Sequence, residues 1–258
     1  MLNESIIQQK LNSADFHTPL KIHILESVDS TNQFLKDLPA SNTIEICCAE
    51  EQTMGRGRFG RTWYSPAGEN IYFSFRWHFN GELSQLSGLS LVVSLAIIAM
   101  LTELNINDDI RVKWPNDLLW KNKKLCGILI EITRNNEVVI GIGLNVNSTM
   151  NALAQLSRPS CSLYEITGTH LDRNTLITKL IIWLNQYLQQ FITQGLSSFM
   201  PLWQKTDYLY GQLITVSQPT GMLRGIAKGI NEAGHLILID ELGVMHYLSS
   251  GDTSLRVV

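Results

Sequence analysis

Residues 70–79 constrain the fold of this chain more than any other segment. Apolar side chains alternate there with more polar ones, at Ile71, Phe73, Phe75, Trp77 and Phe79. An alternation of period two predicts a β-strand with one buried face. The next stretch, residues 83–104, is almost continuously apolar and predicts a long buried helix. The chain is therefore expected to contain a sheet that is covered by helices.

Weaker patterns of the same two kinds continue to residue 205. They predict strands at residues 20–25, 44–49, 110–114, 124–133 and 138–145, and helices at residues 31–38, 174–192 and 199–205. Residues 1–19 are polar and predict a helix or an extended arm. Asp29, Ser30 and Asp172 stand where helix N-caps are needed. We predict an α+β domain with a mixed or mostly antiparallel sheet that carries helices.

The pattern of predicted elements changes at Gly211. Short strands are predicted at residues 213–216, 223–230, 235–239 and 244–248, with glycine-containing turns between them. Short strands at this spacing are typical of a small β-barrel. We therefore predict two domains, residues 1–210 and residues 211–258.

Composition limits the classes of function. The chain has 258 residues, of which 45% are hydrophobic and 17% are charged, and its net charge is −3. This hydrophobic share supports a sizeable core, and the net charge does not mark a nucleic-acid binder. The most apolar stretch is interrupted by Ser87, Gly88, Ser90 and Ser94, so no membrane span is predicted. No basic segment leads into an apolar run at the N-terminus, which predicts a cytoplasmic protein without a secretory signal.

The cysteines give no sign of a metal site or of disulfide bonds. Cys47, Cys48, Cys126 and Cys161 have neither the spacing of a zinc site nor the density of a disulfide scaffold. We interpret them as small buried side chains in a reducing compartment. No metal-binding cluster is predicted.

Residues 55–63, GRGRFGRTW, place three glycines and three arginines in one short segment. The spacing is formally that of a dinucleotide-binding turn, but such a turn must open a helix. Here Pro66 and a predicted strand follow, and no helix is predicted. Glycines let the backbone approach a ligand closely, and arginines bind phosphate oxygens through paired hydrogen bonds. We interpret the segment as a flexible loop that folds over a polyanion; the alternative is a solvated basic loop.

Residues 113–117, KWPND, follow a short predicted strand. A lysine that leaves a strand and enters Pro-Asn-Asp lies at a turn, where its charge is directed at one point. Lys124 begins the next strand, and a hairpin would bring it near Lys113. Two ammonium groups near the arginine loop predict a site for a ligand with several negative charges. We assign Lys113 and Asp117 to function and interpret residues 121–123 as a solvated hairpin tip.

The predicted strand over residues 138–145 contains alternating glycines. Gly141 and Gly143 indicate either close approach of a ligand or a tight packing contact. Asn145 at the strand end can donate and accept hydrogen bonds together, as an adenine edge requires.

Residues 29–32, DSTN, also allow two interpretations. They are either an ordinary helix cap or a cluster of small polar groups that binds a neutral polar head, such as a ureido ring.

Taken in this order, the motifs resemble those of the biotin protein ligase family. The resemblance runs from about residue 20 to the C-terminus and rests on residues 30–32, 52, 55–63, 113–117, 124–129 and 141–145. It implies a catalytic α+β domain of the class II synthetase type and a C-terminal SH3-like barrel. Cys126 stands where the family pattern has Gly or Ala, but it is still small.

The resemblance implies roles for individual residues. Biotin would be bound by Ser30, Thr31, Asn32, Gln52, Arg56, Gly57, Arg58, Lys124, Gly127 and Leu129. ATP, with Mg²⁺ on its phosphates, would be bound by Arg58, Arg61, Trp63, Lys113, Asn116 and Asn145. Catalysis would be carried by Arg58, Lys113, Lys124 and Asp117, with Asp117 orienting the acceptor lysine or taking its proton.

The implied activity has two steps. Biotin is activated with ATP to biotinyl-AMP and is then transferred to a lysine of a biotin carboxyl carrier protein or domain, by a monomer or a homodimer. Residues 1–19 are too few for the winged-helix DNA-binding domain that some relatives carry, so we expect no DNA binding.

Three other functions compete with this one. A DNA-binding repressor is disfavoured by the net negative charge and by the short segment before the first predicted strand. A lipoate or octanoate protein ligase shares the fold but lacks the KWPND motif. A biotin-binding module without turnover would not need a phosphate clamp.

Overall fold

The computed structural model describes residues 1–79, 81–106, 109–133, 137–154, 156, 158–218, 221–250 and 254–257. The strands of its main sheet are β1 Leu20–Val28, β2 Ile44–Gln52, β3 Ile71–His78, β4 Ile110–Lys113, β5 Asp117–Trp120, β6 Lys123–Ile132 and β7 Glu137–Leu144. Across the sheet their order is β1-β2-β3-β7-β6-β5-β4. β1 runs parallel to β2 and the other pairs are antiparallel, so the predicted mixed sheet is confirmed.

The α-helices of the described chain complete the predicted α+β class. They are α1 Glu4–Ser13, α2 Thr31–Asp37, α3 Leu89–Glu103, α4 Met150–Leu153, α5 Leu163–Thr167, α6 Arg173–Gln194 and α7 Met200–Thr206. The predicted caps of α2 and α6 are confirmed, since the side chains of Ser30 and Asp172 accept hydrogen bonds from backbone N–H groups of the first turn. The helix over Leu89–Glu103 is too short to span a membrane, and none of the described helices is both long and apolar enough to do so.

Alternate residues of β3 separate the two faces of the main sheet. Phe73 and Phe75 belong to the main hydrophobic core, together with buried residues of α3 and α6. Ser74 and Arg76 lie on the other face, where they bond to α2. The long helices therefore cover one face, and the short α2 lies on the other.

The predicted helix over residues 83–104 was wrong at its start. Leu83–Leu86 form a 3-10 turn, and α3 begins only at Leu89. Gly88 between them has a φ of 82°, and a Cβ there would lie 2.6 Å from Leu196 Cδ2. Because this contact joins residues far apart in sequence, hydrophobic periodicity does not reveal it. The short elements β5, α4 and α5 were not predicted either.

The C-terminal segment forms a second, antiparallel sheet. Its strands are β8 Leu213–Gln218, β9 Gly221–Ile230, β10 Leu236–Asp240, β11 Met245–Leu248 and the unpredicted β12 Ser254–Val257, in the order β11-β10-β9-β8-β12. Within the described residues β11 and β12 each pair with one neighbouring strand and not with each other, so the predicted barrel closure is not observed. The domain boundary at residue 210 stays a prediction.

The two sheets are joined by contacts of buried groups. The inner side chains of the second sheet, Ile214, Val216, Ala227 and Leu238 among them, belong to the same hydrophobic core as the main sheet. Trp114 Nε1 also donates to Gly234 O over 3.0 Å. The four cysteines are free and buried, as predicted.

Candidate active site

A cavity of about 1250 Å³ opens on the face of the main sheet that carries α2. It lies between the start of α2, the glycine-arginine loop, the β4–β5 turn and strands β6 and β7. Every residue that the sequence assigned to a substrate lines this cavity: Ser30, Thr31, Asn32, Gln52, Arg56, Gly57, Arg58, Arg61, Trp63, Lys113, Asn116, Asp117, Lys124, Gly127, Leu129 and Asn145. Motifs more than 100 residues apart therefore meet at one place.

One end of the cavity is made of neutral polar groups at the start of α2. Ser30, Thr31 and Asn32 are each at least 95% buried. Thr31 N donates to Gln52 Oε1 over 2.9 Å, and Gln52 Nε2 donates to Ser65 Oγ over 3.0 Å. Both ends of the Gln52 amide are therefore held, with its oxygen directed at Thr31. Ser30 thus caps a helix, and residues 30–32 line the cavity as well.

The glycine at position 141 makes room for Asn32. A Cβ on Gly141 would lie 2.3 Å from Asn32 Oδ1, a distance that no side chain tolerates. Asn32 Oδ1 accepts from Ser74 Oγ over 2.6 Å, and Asn32 Nδ2 donates to Glu131 Oε2 over 2.8 Å. The alternating glycines of β7 are therefore packing contacts of residues that line the cavity, which unites the two interpretations of that motif.

The glycine-arginine loop is folded back on itself. Trp63 N donates to Gly55 O over 2.9 Å, and Gly57 N donates to Arg61 O over 2.7 Å. A Cβ on Gly55 would lie 2.5 Å from Trp63 O, so this crossing requires glycine. Residues 58–60 form a 3-10 turn in which Phe59 has a positive φ of 58°. The absence of an α-helix after the loop agrees with our rejection of a dinucleotide-binding turn.

Two arginines of this loop are held by different partners. Arg56 Nη2 donates to Gln33 Oε1 over 3.1 Å and lies 3.6 Å from Glu131 Oε2. Arg58 Nη1 donates to Asn116 Oδ1 over 3.4 Å, and Arg58 Nη2 donates to the Ser250 carbonyl. Arg58 therefore connects the loop, the KWPND turn and the C-terminal sheet.

The indole of Trp63 rests on the floor of the cavity. A Cβ on Gly143 would lie 2.4 Å from Trp63 Cε2, and one on Gly127 would lie 3.0 Å from Trp63 Cζ3. Lys124 Nζ is 5.2 Å from the centre of the ring, within the range of a cation–π contact. Trp63 Nε1 is buried and has no hydrogen-bond partner in the described part of the chain.

The other end of the cavity is positively charged. Lys113 ends β4, and Asp117 begins β5 directly opposite it in the sheet register. Lys124 Nζ lies 2.6 Å from Asp117 Oδ1. The predicted direct hairpin between the strands of Lys113 and Lys124 was wrong, because β5 lies between β4 and β6, but Asp117 at the start of β5 is next to both lysines. The side chain of Asn116 is held in place by β6, since its Nδ2 donates to Ile128 O over 2.7 Å.

The charges at this end are incompletely compensated. Burial lowers the pKa of Lys113, and although Asp117 opposes this, the positive charges of Arg158 and Lys124 lower it further. Burial also lowers the pKa of Arg58, where Asp117 again opposes and Arg61 adds to the shift. A pKa lowered in this way means that the cation is less stable than in water. An anion that enters the cavity would stabilise these cations.

Asn145 connects the end of β7 with a neighbouring segment of the same chain. Its Nδ2 donates to Cys161 O over 2.9 Å, and its backbone N–H donates to Leu125 O. Residues 158–161 thereby run beside Lys124 and bring Arg158 to the rim of the cavity.

Some residues around the cavity were missed by the motif search. Ser74 and Glu131 both bond to Asn32, and Arg158 and Tyr208 line the cavity. Ser74 breaks a run of large side chains in β3 and was the only signal of this kind in the sequence. Among the described residues, no group of three His, Cys, Asp or Glu side chains is placed to hold a metal ion.

Comparison with known proteins places these features in a family. The model of the Biotin/lipoate A/B protein ligase family matches residues 24–147, and that of the Biotin protein ligase C terminal domain matches residues 210–256. The Bifunctional ligase/repressor BirA of Escherichia coli (strain K12) is 35% identical over 240 residues, which cover 91% of this chain and 74% of the relative. The Biotin--[acetyl-CoA-carboxylase] ligase of Paracoccus denitrificans is 30% identical over 223 residues, which cover 83% of this chain and 92% of the relative.

A solved structure gives the same result. Biotin protein ligase from Aquifex aeolicus in complex with biotin and ATP is 30% identical, with a TM-score of 0.80 over 92% of this chain and 99% of that chain.

Proposed function

The chain belongs to the biotin protein ligase family, and from this membership we propose that it activates biotin with ATP and transfers it to a lysine of a carrier protein. The observation that carries the proposal is the two-ended cavity. A buried neutral polar pocket at Thr31 and Gln52 and a cationic end at Lys113 and Arg58 open into the same space. Biotin has a neutral ureido ring at one end and a carboxylate at the other, so it would bridge the two.

In the first step, a carboxylate oxygen of biotin forms a bond to the α-phosphorus of MgATP, and pyrophosphate leaves. Two anions must meet, and repulsion opposes them. Lys113 would lie between the carboxylate and the α-phosphate, while Arg58 and Arg61 would hold phosphate oxygens and stabilise the charge that develops in the transition state. Trp63, Asn116 and Asn145 would contact the nucleotide. The glycine-arginine loop would shield the mixed anhydride from water.

In the second step, the lysine amine of the carrier attacks the acyl carbon of biotinyl-AMP, and AMP leaves. The amine must lose a proton, and Asp117 is our candidate for orienting that amine or accepting the proton. Its carboxylate is already paired with Lys124 at 2.6 Å and is therefore held in place, which favours the orienting role. Lys124 would also contact biotin.

The partner and the C-terminal sheet belong to the same proposal. A biotin carboxyl carrier protein or domain is the expected acceptor, in line with the names of similar ligases. We also propose that the C-terminal sheet is an SH3-like barrel that supports the active site. Leu255 lines the cavity and the Ser250 carbonyl holds Arg58, which are the contacts that such a support requires. The repressor activity in the names of some relatives is not part of the proposal.

Biotin-dependent exchange of labelled pyrophosphate into ATP tests the activation step. We expect exchange with biotin and none without an added acid, because pyrophosphate returns to ATP only from an acyl-AMP. Lipoate is run in parallel, since the N-terminal family model covers biotin and lipoate ligases alike, and octanoate is tested as the second competing acid. The match to the biotin protein ligase C-terminal domain favours biotin. Exchange with lipoate alone would mean that lipoate, and not biotin, is the substrate. No exchange with any of these acids would contradict the proposal.

The glycines of β7 predict separable effects on the two substrates. Gly143→Ala places a Cβ against Trp63, and Gly141→Ala places one against Asn32. Overpacking of this kind costs about 1–3 kcal/mol, so we expect Gly143→Ala to raise the KM for ATP about tenfold and to leave biotin affinity nearly unchanged. Gly141→Ala should do the reverse. Each variant is the control for the other, and equal effects of both variants on both substrates would contradict the assignment of Trp63 to ATP.

The pKa of Lys113 predicts a pH dependence of the activation step. Lys113 acts as an ammonium ion, and its pKa lies below the ordinary value of 10.5. The charge is therefore lost as pH rises through this lowered pKa. We expect kcat/KM for ATP, measured from about pH 7 to about pH 10, to fall on the alkaline side. Lys113→Arg should have a lower kcat/KM at neutral pH than the wild type, and this kcat/KM should not fall at alkaline pH, since arginine stays charged. The same alkaline fall in Lys113→Arg would show that another group titrates.

A further inference from the structure

Four polar side chains form a continuous chain behind the polar end of the cavity. We call them the Glu131 relay: Glu131, Asn32, Ser74 and Thr31. Asn32 Nδ2 is 2.8 Å from Glu131 Oε2, and Ser74 Oγ is 2.6 Å from Asn32 Oδ1 and 2.7 Å from Thr31 Oγ1. Ser74 is fully buried, and Asn32 and Thr31 are nearly so. Water therefore has little access to these links, and each contact needs one hydrogen atom from one of its two members.

The carboxylate of Glu131 sets the direction of this chain. Lys36 Nζ lies 2.8 Å from Glu131 Oε1, and Arg56 Nη2 lies 3.6 Å from Glu131 Oε2. Burial raises the pKa of Glu131, but the hydrogen bonds from Lys36 and Asn32, together with the charges of Arg56 and Lys36, outweigh burial and hold this pKa below its ordinary value. An ionised carboxylate only accepts hydrogen bonds. It therefore selects the Nδ2 end of Asn32 and turns Oδ1 toward Ser74.

The positions of the remaining hydrogen atoms follow from the number of donors and acceptors in the relay. Asn32 Oδ1 cannot donate, so the single hydroxyl hydrogen of Ser74 goes to Asn32. The 2.7 Å contact between Ser74 Oγ and Thr31 Oγ1 must then contain the hydrogen of Thr31. That hydrogen is no longer available for Gln52 Oε1, which lies 3.1 Å from Thr31 Oγ1 and is held by the Thr31 backbone N–H instead.

We propose that Glu131 is a positioning residue that makes Thr31 Oγ1 and Gln52 Oε1 hydrogen-bond acceptors for the N–H groups of a cyclic urea. Thr31 and Gln52 line the cavity, whereas Glu131 does not. Its effect on a ligand is therefore transmitted through Asn32 and Ser74. The inference rests on the proposed function, since the ureido ring of biotin carries two N–H donors for these two acceptors.

A neutral residue at position 131 would allow the opposite direction. The amide of a glutamine can donate to Asn32 Oδ1, after which Asn32 Nδ2 donates to Ser74 and Ser74 donates to Thr31. Thr31 then donates to Gln52 Oε1 across the existing 3.1 Å contact. The reversed chain keeps every hydrogen bond of the relay and loses only the long bond of 3.4 Å from Asn32 Nδ2 to Leu129 O, but Gln52 Oε1 is now occupied. The negative charge of Glu131 excludes this arrangement, and the Leu129 carbonyl adds to the preference for the observed direction.

Calorimetric titration of the full chain with biotin tests the relay. The variants are Glu131→Gln, which permits the reversed direction, and Ser74→Ala, which frees Thr31 to donate to Gln52. Loss of one hydrogen bond to a ligand corresponds to about tenfold in affinity, so we expect Kd for biotin to rise about tenfold in each variant, with Kd for ATP unchanged. The controls are Lys36→Gln, which removes one of the two cations beside Glu131 and leaves its carboxylate in place, and Ser94→Ala, which removes a buried hydroxyl of α3. Both should bind biotin as the wild type does.

A second ligand separates positioning from a general loss of structure. In an analogue of biotin with one ureido N–H replaced by oxygen, the ring oxygen faces an acceptor in the wild type and is repelled. We expect the preference for biotin over this analogue to fall about tenfold in Glu131→Gln, which a merely loosened pocket would not produce. Wild-type affinity for biotin in both variants, or an unchanged preference in Glu131→Gln, would overturn the relay. Failure of the wild type to bind biotin would overturn the proposed function together with it.

Discussion

Lys113→Ala is expected to lower the rate of biotinyl-AMP formation at least about a hundredfold, since removal of one preorganised charge contact in an active site typically costs on the order of 3 kcal/mol. Lys113 is the cation that would stand between the two reacting anions, and burial has already reduced its interaction with water. The loss should fall on the rate more than on affinity, because the repulsion is greatest in the transition state. Single-turnover formation of biotinyl-AMP, followed by rapid quenching and chromatography, measures this rate.

The control for Lys113 is a lysine of the neighbouring hairpin. Lys121 is exposed at the turn after β5 and lies over the Trp120 ring, 4.3 Å from its centroid. Lys121→Ala removes the same charge from the protein but not from the cavity, so we expect a rate within about twofold of the wild type. Equal losses in the two variants would mean that net charge, rather than the position of Lys113, controls the reaction.

Arg58→Ala is expected to lower the same rate by a similar factor, about a hundredfold. The guanidinium would bind phosphate oxygens, and its present partners, Asn116 Oδ1 and the Ser250 carbonyl, are neutral acceptors that an arriving phosphate can replace. Arg58→Lys should recover only part of the rate because an ammonium lacks the planar fork of arginine. Pyrophosphate exchange at saturating biotin measures both variants.

Arg111 provides the matched control for Arg58. It pairs with Asp109 over 2.8 Å and is exposed. Arg111→Ala should therefore leave pyrophosphate exchange unchanged. Full activity in Arg58→Ala would remove Arg58 from the phosphate site and leave Arg61 as the remaining candidate in the loop.

The residues that line the cavity could be predicted from the sequence because they stand in contiguous motifs. KWPND is a strand end followed by a turn, and GRGRFGRTW is a glycine loop, so both place their charges by local geometry. The helix cap at Ser30 was also a local signal, and the structure confirms that Ser30 accepts a hydrogen bond from Gln33 N. The alternation in β3 predicted that strand, and the pattern of strands and helices along the chain predicted the α+β class.

The supporting residues could not be predicted because they depend on strand register. Ser74 lies opposite Gly141 in β3–β7, and Leu129 lies opposite Gly141 in β6–β7. These two pairings bring Ser74 and Glu131 to Asn32, and no short-range pattern encodes them. The start of α3 was mispredicted for a similar reason, since Leu196 and Gly234 pack against Gly88 from distant parts of the chain.

The most direct test of the account is the mass of a carrier domain. The purified chain is incubated with biotin, ATP, Mg²⁺ and a biotin carboxyl carrier domain, and the carrier is followed by intact-mass spectrometry. Lipoate replaces biotin in a parallel reaction. We predict a gain of one biotin per carrier that requires ATP and is strongly slowed in Lys113→Ala. No gain with biotin, or a gain with lipoate alone, would contradict the assignment of this chain as a biotin protein ligase.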